Sequence, residues 1–196
     1  MSAELLEGEF VDLRRLSVEH AAITLAWRQG ERAKLLNRGA ATLEQQTAWI
    51  ASRSESENNY LITLKSGVLV GMLSLIGIHA VNRHAESARF LIGDEAAVCG
   101  IPAAAEAMKL LYHRAFVELG LVRVYGTVAS DNTLMVKWQK FMGMKEEGRM
   151  RQHYFIDGHF QDAVMVGILE SEYRSVALPR LKAMIAAAQP RASAST

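Results

Sequence analysis

At 196 residues the chain is long enough for one domain with a sizeable core, and with half its residues hydrophobic and 22% charged it has an ordinary globular composition. A formal net charge of +1 removes any bulk electrostatic case for nucleic acid or an anionic membrane, and no apolar run approaches the ~20 residues that span a bilayer. One cysteine, Cys99, excludes an internal disulfide framework and a Cys-rich metal site, and the Glu-containing start Met1 to Glu9, without a basic residue, does not read as a signal peptide; a cytoplasmic protein is expected.

Phe10 to Arg14 alternates apolar and polar residues, as a half-buried strand does. Ser17, a good N-cap, opens a helical pattern through Ala21, Leu25 and Arg28. A loop over Asn37 to Ala41 follows. Thr42, with Gln45 three residues on, forms a capping-box signature for a second helix carrying Leu43, Ala48 and Trp49-Ile50. Asn58-Asn59 is read as its breaker. Tyr60 to Leu64 and Val68 to Ile76 are expected strands, joined by the turn Lys65-Ser66-Gly67. Ala85 to Ile92 follows after the polar turn Asn82-Arg83-His84, completing an antiparallel meander.

The segment from Phe90 to Asn132 says most about function. The strand end Phe90-Leu91-Ile92-Gly93 enters a loop of small residues, Cys99-Gly100-Ile101-Pro102-Ala103-Ala104. A helix from about Ala103 to Leu119 then shows an apolar face of Ala104, Met108, Leu111, Ala115 and Leu119, with Gly120 as its C-cap. Backbone N–H groups at such a helix start, and the positive end of the helix dipole, favour a phosphate. Val122 to Val128 is the next strand, Thr133 to Met142 a helix ended by Gly143. Met150 to Ile156 and His159 to Leu169 form a hairpin around Asp157-Gly158. Leu178 to Ala188 is a last helix, and Arg191 to Thr196 a small polar tail expected to be disordered. The plan is one α+β domain over residues 1–175 with a mixed, mostly antiparallel sheet of about seven strands flanked by helices, and a C-terminal helix and tail over 176–196.

This order resembles the GCN5-related N-acetyltransferase (GNAT) superfamily over roughly Gly8 to Arg174. Asn132, followed eleven residues later by Gly143 and then Met144-Lys145-Glu146-Glu147-Gly148, resembles the family's Asn…Gly-Phe-x-x-Glu-Gly signature, with Met144 where Phe is usual. The stretch His153 to Asp162 resembles the closing hairpin of two branches, the ribosomal-protein N-terminal acetyltransferases and the acetyltransferases of nucleotide-linked amino sugars. Trp27-Arg28-Gln29 and Thr42 to Ile50 look more like the sugar branch.

The resemblance implies acetyl-CoA as co-substrate and direct transfer of acetyl to an amine. It implies a coenzyme site from Phe90, Leu91, Ile92, Cys99, Gly100, Ile101, Ala103 and Ala104, with Asn132 bonding the pantetheine arm and Lys140 reaching the adenosine phosphates. The family loop Gln/Arg-x-x-Gly-x-Gly/Ala is matched only loosely: Cys99 takes its first position, Pro102 and Ala104 its glycines. Pro102 has no N–H and removes one donor to the diphosphate. Glu86 is the candidate base; the alternative is a solvated strand-end carboxylate. His84 is a second candidate. The Tyr that protonates the leaving thiolate in many relatives is replaced here by Gln139, so Tyr154, with His153, is the candidate acid; the alternative for each is a substrate-pocket wall or a packed strand residue. Met72, Met108, Met135, Met142 and Met144 read as core filling. The expected acceptor is a small-molecule amine, a nucleotide-linked amino sugar by preference. The alternatives are a protein N-terminal amine, and a CoA-binding protein without turnover. No nucleic acid, membrane or metal is expected, and the final hairpin and tail offer edges for a homodimer.

Overall fold

The structure is a computed structural model that describes residues 5–36, 39–54 and 56–188. Eight strands make one sheet: β1 (Leu5–Glu7), β2 (Val11–Arg15), β3 (Asn58–Leu64), β4 (Leu69–His79), β5 (His84–Ile92), β6 (Arg123–Ala129), β7 (Lys145–Ile156) and β8 (His159–Leu169), in the order β1-β2-β3-β4-β5-β6-β8-β7. Neighbours are antiparallel except β5 and β6. One strand more than expected is present, because β1 is too short for its alternation to be read from Leu5-Leu6-Glu7.

The two faces of the sheet carry different helices. On one, α1 (Ala21–Gln29) and α2 (Leu43–Ala51) cover Leu61, Met72 and Leu91 together with Leu16, Trp27 and Ile50. On the other, α3 (Ala103–His113) and the C-terminal helix cover Tyr60, Ile62, Leu73, Leu75 and Val124. Met108 and Leu111 of α3 are completely buried there, each worth about 1.5–3 kcal/mol. After Glu170–Glu172 the chain makes π-helical turns and then the helix Leu178–Ala188, whose Leu181 and Ile185 are buried in the same core.

The local signals act largely as read. Thr42 accepts a hydrogen bond from the Gln45 N–H at 3.2 Å, and the Gln45 side chain accepts from Ala41 N–H at 2.9 Å, one residue before the usual capping-box donor. Gly67, Gly120 and Gly143 all adopt positive φ. Asp157 and Gly158, with φ of 50° and 82°, make the tight turn between β7 and β8.

Three expectations are corrected. Asn58 and Asn59 do not break a helix; α2 stops at Ala51 and both asparagines are buried in β3. Their side chains find partners there: the Tyr60 hydroxyl donates to Asn58 Oδ1 at 3.1 Å and the Ser74 hydroxyl to Asn59 Oδ1 at 2.7 Å. The α3 helix gives way to a π-helical turn over Arg114–Glu118 rather than running to Leu119. The β7 strand starts at Lys145, five residues before the expected Met150, because it is an exposed edge with no hydrophobic alternation to announce it. Of the expected loop over 37–41, residues 37 and 38 lie outside the described residues, as does the tail over 191–196.

Candidate active site

The parallel pair β5–β6 is bonded only at its base, over His84↔Arg123, Ala85↔Val124 and Glu86↔Tyr125. Beyond Glu86 and Tyr125 the strands part, so the β5 backbone from Ser87 to Phe90 has no ladder partner on its β6 side. A backbone stretch of this kind must bond something else. The opening is a cavity of about 240 Å3 that reaches from Glu86 and Tyr154 to Asn132.

A bulge shapes the β5 wall. Between the pairs Ser74↔Ala88 and Met72↔Leu91, β5 has one residue more than β4, and Arg89 adopts φ of 58°. Side chains three apart normally point to opposite faces of a strand. Here Glu86 and Arg89 both line the cavity. On the β6 wall Gly126 lies close to β5: a Cβ there would come within 3.1 Å of the Ser87 carbonyl oxygen.

Glu86, Thr127 and Tyr154 form a connected set. The Thr127 hydroxyl donates to Glu86 Oε1 at 3.5 Å and lies 2.6 Å from the Tyr154 hydroxyl. Since Thr127 has one proton and gives it to Glu86, Tyr154 is the donor to Thr127. Burial raises the Glu86 pKa, partly offset by the Thr127 hydrogen bond and the positive charge of Arg89 and His153. Tyr154 is also raised, first by burial and then by the Glu86 charge, against the opposing Thr127 bond.

Of the residues expected from sequence, Glu86, Phe90, Asn132 and Tyr154 meet in this cavity. Asn132 caps α4 (Thr133–Phe141), its Oδ1 accepting from Met135 N–H at 3.2 Å, so cap and wall are the same residue. Leu91 and Ile92 place their side chains in the two cores. Cys99 and Gly100 are exposed on the loop, and Ile101 packs at the edge of the core. Pro102 is the N-cap of α3, one position ahead of its first turn, and its carbonyl accepts from Glu106 N–H at 2.9 Å. The N–H groups of Ala103, Ala104 and Ala105 therefore have no acceptor inside the helix, an arrangement suited to a diphosphate.

Several expected residues fall elsewhere. Lys140 is exposed and bonded to Glu146 at 2.5 Å, outside the cavity walls. His84 stacks on His79 and abuts Tyr125, away from the cavity. His153 is exposed and meets Tyr154 edge-on. Met135 lines the cavity rather than filling the core, whereas Met72, Met108, Met142 and Met144 are buried as expected. Trp27 is core; Trp49 is half-buried, with the guanidinium groups of Arg53 and Arg89 at 4.9 and 5.0 Å from its ring. Among the described residues no group of three or more His, Cys, Asp or Glu is placed to hold a metal ion, and no helix is long and apolar enough to cross a membrane.

Sequence reasoning missed Thr127, Arg28 and Arg89. Arg28, at the end of α1, and Arg89 line both the main cavity and an adjoining one of about 160 Å3 with Gln46, Trp49 and Met72. Burial, and then the neighbouring Arg89 charge, lower the Arg28 pKa. A charged residue inside the apolar run Ala88-Arg89-Phe90 was the available signal.

Comparison with known proteins agrees with this geometry. Residues 11–145 match the acetyltransferase (GNAT) domain family. The spermidine N(1)-acetyltransferase of Escherichia coli K12 is 27% identical over 119 residues, 61% of this chain and 62% of that enzyme. That of Vibrio cholerae is 30% identical over 122 residues, 60% of this chain and 66% of that enzyme. The matches thus span somewhat under two thirds of these relatives' lengths. A GCN5-related N-acetyltransferase from Brucella melitensis shares the fold, with a TM-score of 0.78 at 24% identity over 94% of this chain and 86% of that one.

Proposed function

The chain belongs to the acetyltransferase (GNAT) domain family, and from that premise we propose that it moves the acetyl group of acetyl-CoA to a primary amine of a small molecule. The observation that carries this reading is the parting of β5 and β6 above Glu86 and Tyr125. An extended thioester arm can lie along the freed β5 backbone, with its diphosphate at the N-terminus of α3 and the Asn132 amide beside it. A β5 N–H near Phe90 then holds the thioester carbonyl oxygen as negative charge develops on it.

Glu86 is the base in this reading. As the C–N bond forms and the C–S bond breaks, the nitrogen loses a proton to Glu86, whose raised pKa suits the task. Once protonated, Glu86 becomes a donor and the hydrogen bonds along the hydroxyls reverse: Glu86 gives a proton to Thr127, Thr127 gives its own to Tyr154, and Tyr154 protonates the departing thiolate. Gln139 lines the same cavity but has no proton of the required acidity. A polyamine and a nucleotide-linked amino sugar are the two acceptor classes in view. The relatives support the first, and the cations of the cavity wall support an acceptor of the second kind.

Calorimetric titration with acetyl-CoA, followed by thiol release against a panel of amines, tests the reading. Saturable binding and amine-dependent release are expected. No heat at high acetyl-CoA concentration overturns it.

A further inference from the structure

Two arginines sit where a polycation would have to lie. The main cavity and the adjoining one share Arg28 and Arg89 in their walls, and the only described carboxylate lining either is Glu86. An acceptor with several ammonium groups gains from several carboxylates and is repelled by guanidinium groups. Only one ammonium, the reacting one, has a carboxylate here.

The arginines are also held in place. Arg89 gives Nη1 to Glu57 Oε2 at 2.9 Å and to Asn59 Oδ1 at 2.8 Å, and its Cζ lies 5.0 Å from the centroid of the Trp49 ring. Among the described residues no acceptor meets its Nε or Nη2, so one edge of the guanidinium fork is left for a ligand. Such an edge matches the two oxygens of a carboxylate or phosphate. Arg28 is carried by α1, which is anchored one residue earlier. Trp27, the residue before it, packs on the backbone of Gly93, where a Cβ would run into the indole. Glu86 and Arg89 are three strand residues apart, at most ~10 Å along the chain, which is the span of a small metabolite.

We propose that the acceptor is an amine that also carries an anionic group, a carboxylate or a phosphate, with the amine at Glu86 and the anion on the paired guanidinium groups of Arg28 and Arg89. This rests on the acetyl-transfer reading and narrows it. The site discriminates against a bare polyamine.

Matched acceptors test it: L-lysine against cadaverine, which lacks the carboxylate, and glucosamine 6-phosphate against glucosamine, which lacks the phosphate. The anionic member of at least one pair is expected to show a kcat/KM at least tenfold higher, and which pair responds tells carboxylate from phosphate. Arg28→Gln should raise KM for that acceptor about tenfold while leaving KM for acetyl-CoA in place and not raising KM for the partner that lacks the anion. Arg89→Gln should do the same, and Arg28→Gln keeps the test valid if loss of the Glu57 contact unfolds the Arg89 variant. Equal or better use of cadaverine and glucosamine, or of spermidine over all four, overturns the proposal. If no amine is acetylated although acetyl-CoA binds, the transfer reading fails and the anion site is still decided by thermal shift. Malonate or inorganic phosphate should then raise Tm in the unaltered protein but not in Arg28→Gln, and no Arg28-dependent shift overturns the proposal.

Discussion

Glu86 faces two opposing demands. As the proposed base, its carboxylate gains from a pKa raised by burial, and for the same reason its ionised form is disfavoured in the folded protein. Replacing it with Gln removes the base but keeps shape and the Thr127 contact. Glu86→Gln is expected to lower kcat for acetyl transfer by roughly 10²–10⁴-fold, while Tm at pH 7 is unchanged or raised. The sign follows from the pKa: raised in the folded state, it makes the charged form a cost above the unfolded carboxylate value of ~4.3, a cost absent at lower pH. In a pH–rate profile of the unaltered protein, the acid limb should lie above the ordinary carboxylate range and vanish in the variant. Two of these residues were legible in the chain. Glu86 and Tyr154, which the structure brings to one cavity, could be singled out because a polar residue at a strand start and one in a hairpin suit the proposed chemistry. Thr127 was not, because nothing in Gly126-Thr127-Val128 reveals that its hydroxyl will stand between residues 41 and 27 positions away.

The start of α3 serves the fold and, in the proposed function, the coenzyme. Glu106, fully buried, accepts N–H bonds from Glu9 at 2.8 Å, Phe10 at 2.6 Å and Val11 at 2.9 Å, tying the β1–β2 connection to the helix. Lys109 at 3.5 Å is its cationic neighbour. Glu106→Ala strands these donors, and denaturant unfolding should show a loss of roughly 2–4 kcal/mol. Pro102 at the same helix start withholds a donor. Pro102→Ala restores an N–H there and should tighten acetyl-CoA by a few-fold, up to the roughly tenfold equivalent of one hydrogen bond, as read by calorimetry. The helix itself was legible from its period and its Gly120 stop. The Glu106 staple was not, since it joins residues 95 to 97 apart. The bulge at Arg89 was invisible for a different reason: a non-glycine residue at positive φ leaves no mark in composition.

Across the whole molecule, the order of elements was readable and the count was short by one strand. Long apolar runs with turn residues between them announce β3, β4, β5, β6 and β8. The edge strands β1 and β7 lack a buried face to impose alternation, so one was missed and the other shortened. What could not be read was the pairing of Arg28 with Arg89, which needs α1 folded back over the sheet. A ligand that fills the gap between β5 and β6 binds only the folded chain. Acetyl-CoA at 100 times its Kd should therefore add about 2.7 kcal/mol of stability, a Tm rise of roughly 5–10 °C for a domain of this size, measurable by scanning calorimetry. The packing of Trp27 on Gly93 carries a consequence for engineering. The helix that carries Arg28, proposed to meet the acceptor, and the end of β5, which leads into the loop before α3, are braced against each other at one flat contact. Re-targeting the protein to another amine by reshaping that helix will disturb its grip on the thioester as well, so selections for new acceptors must screen both affinities together.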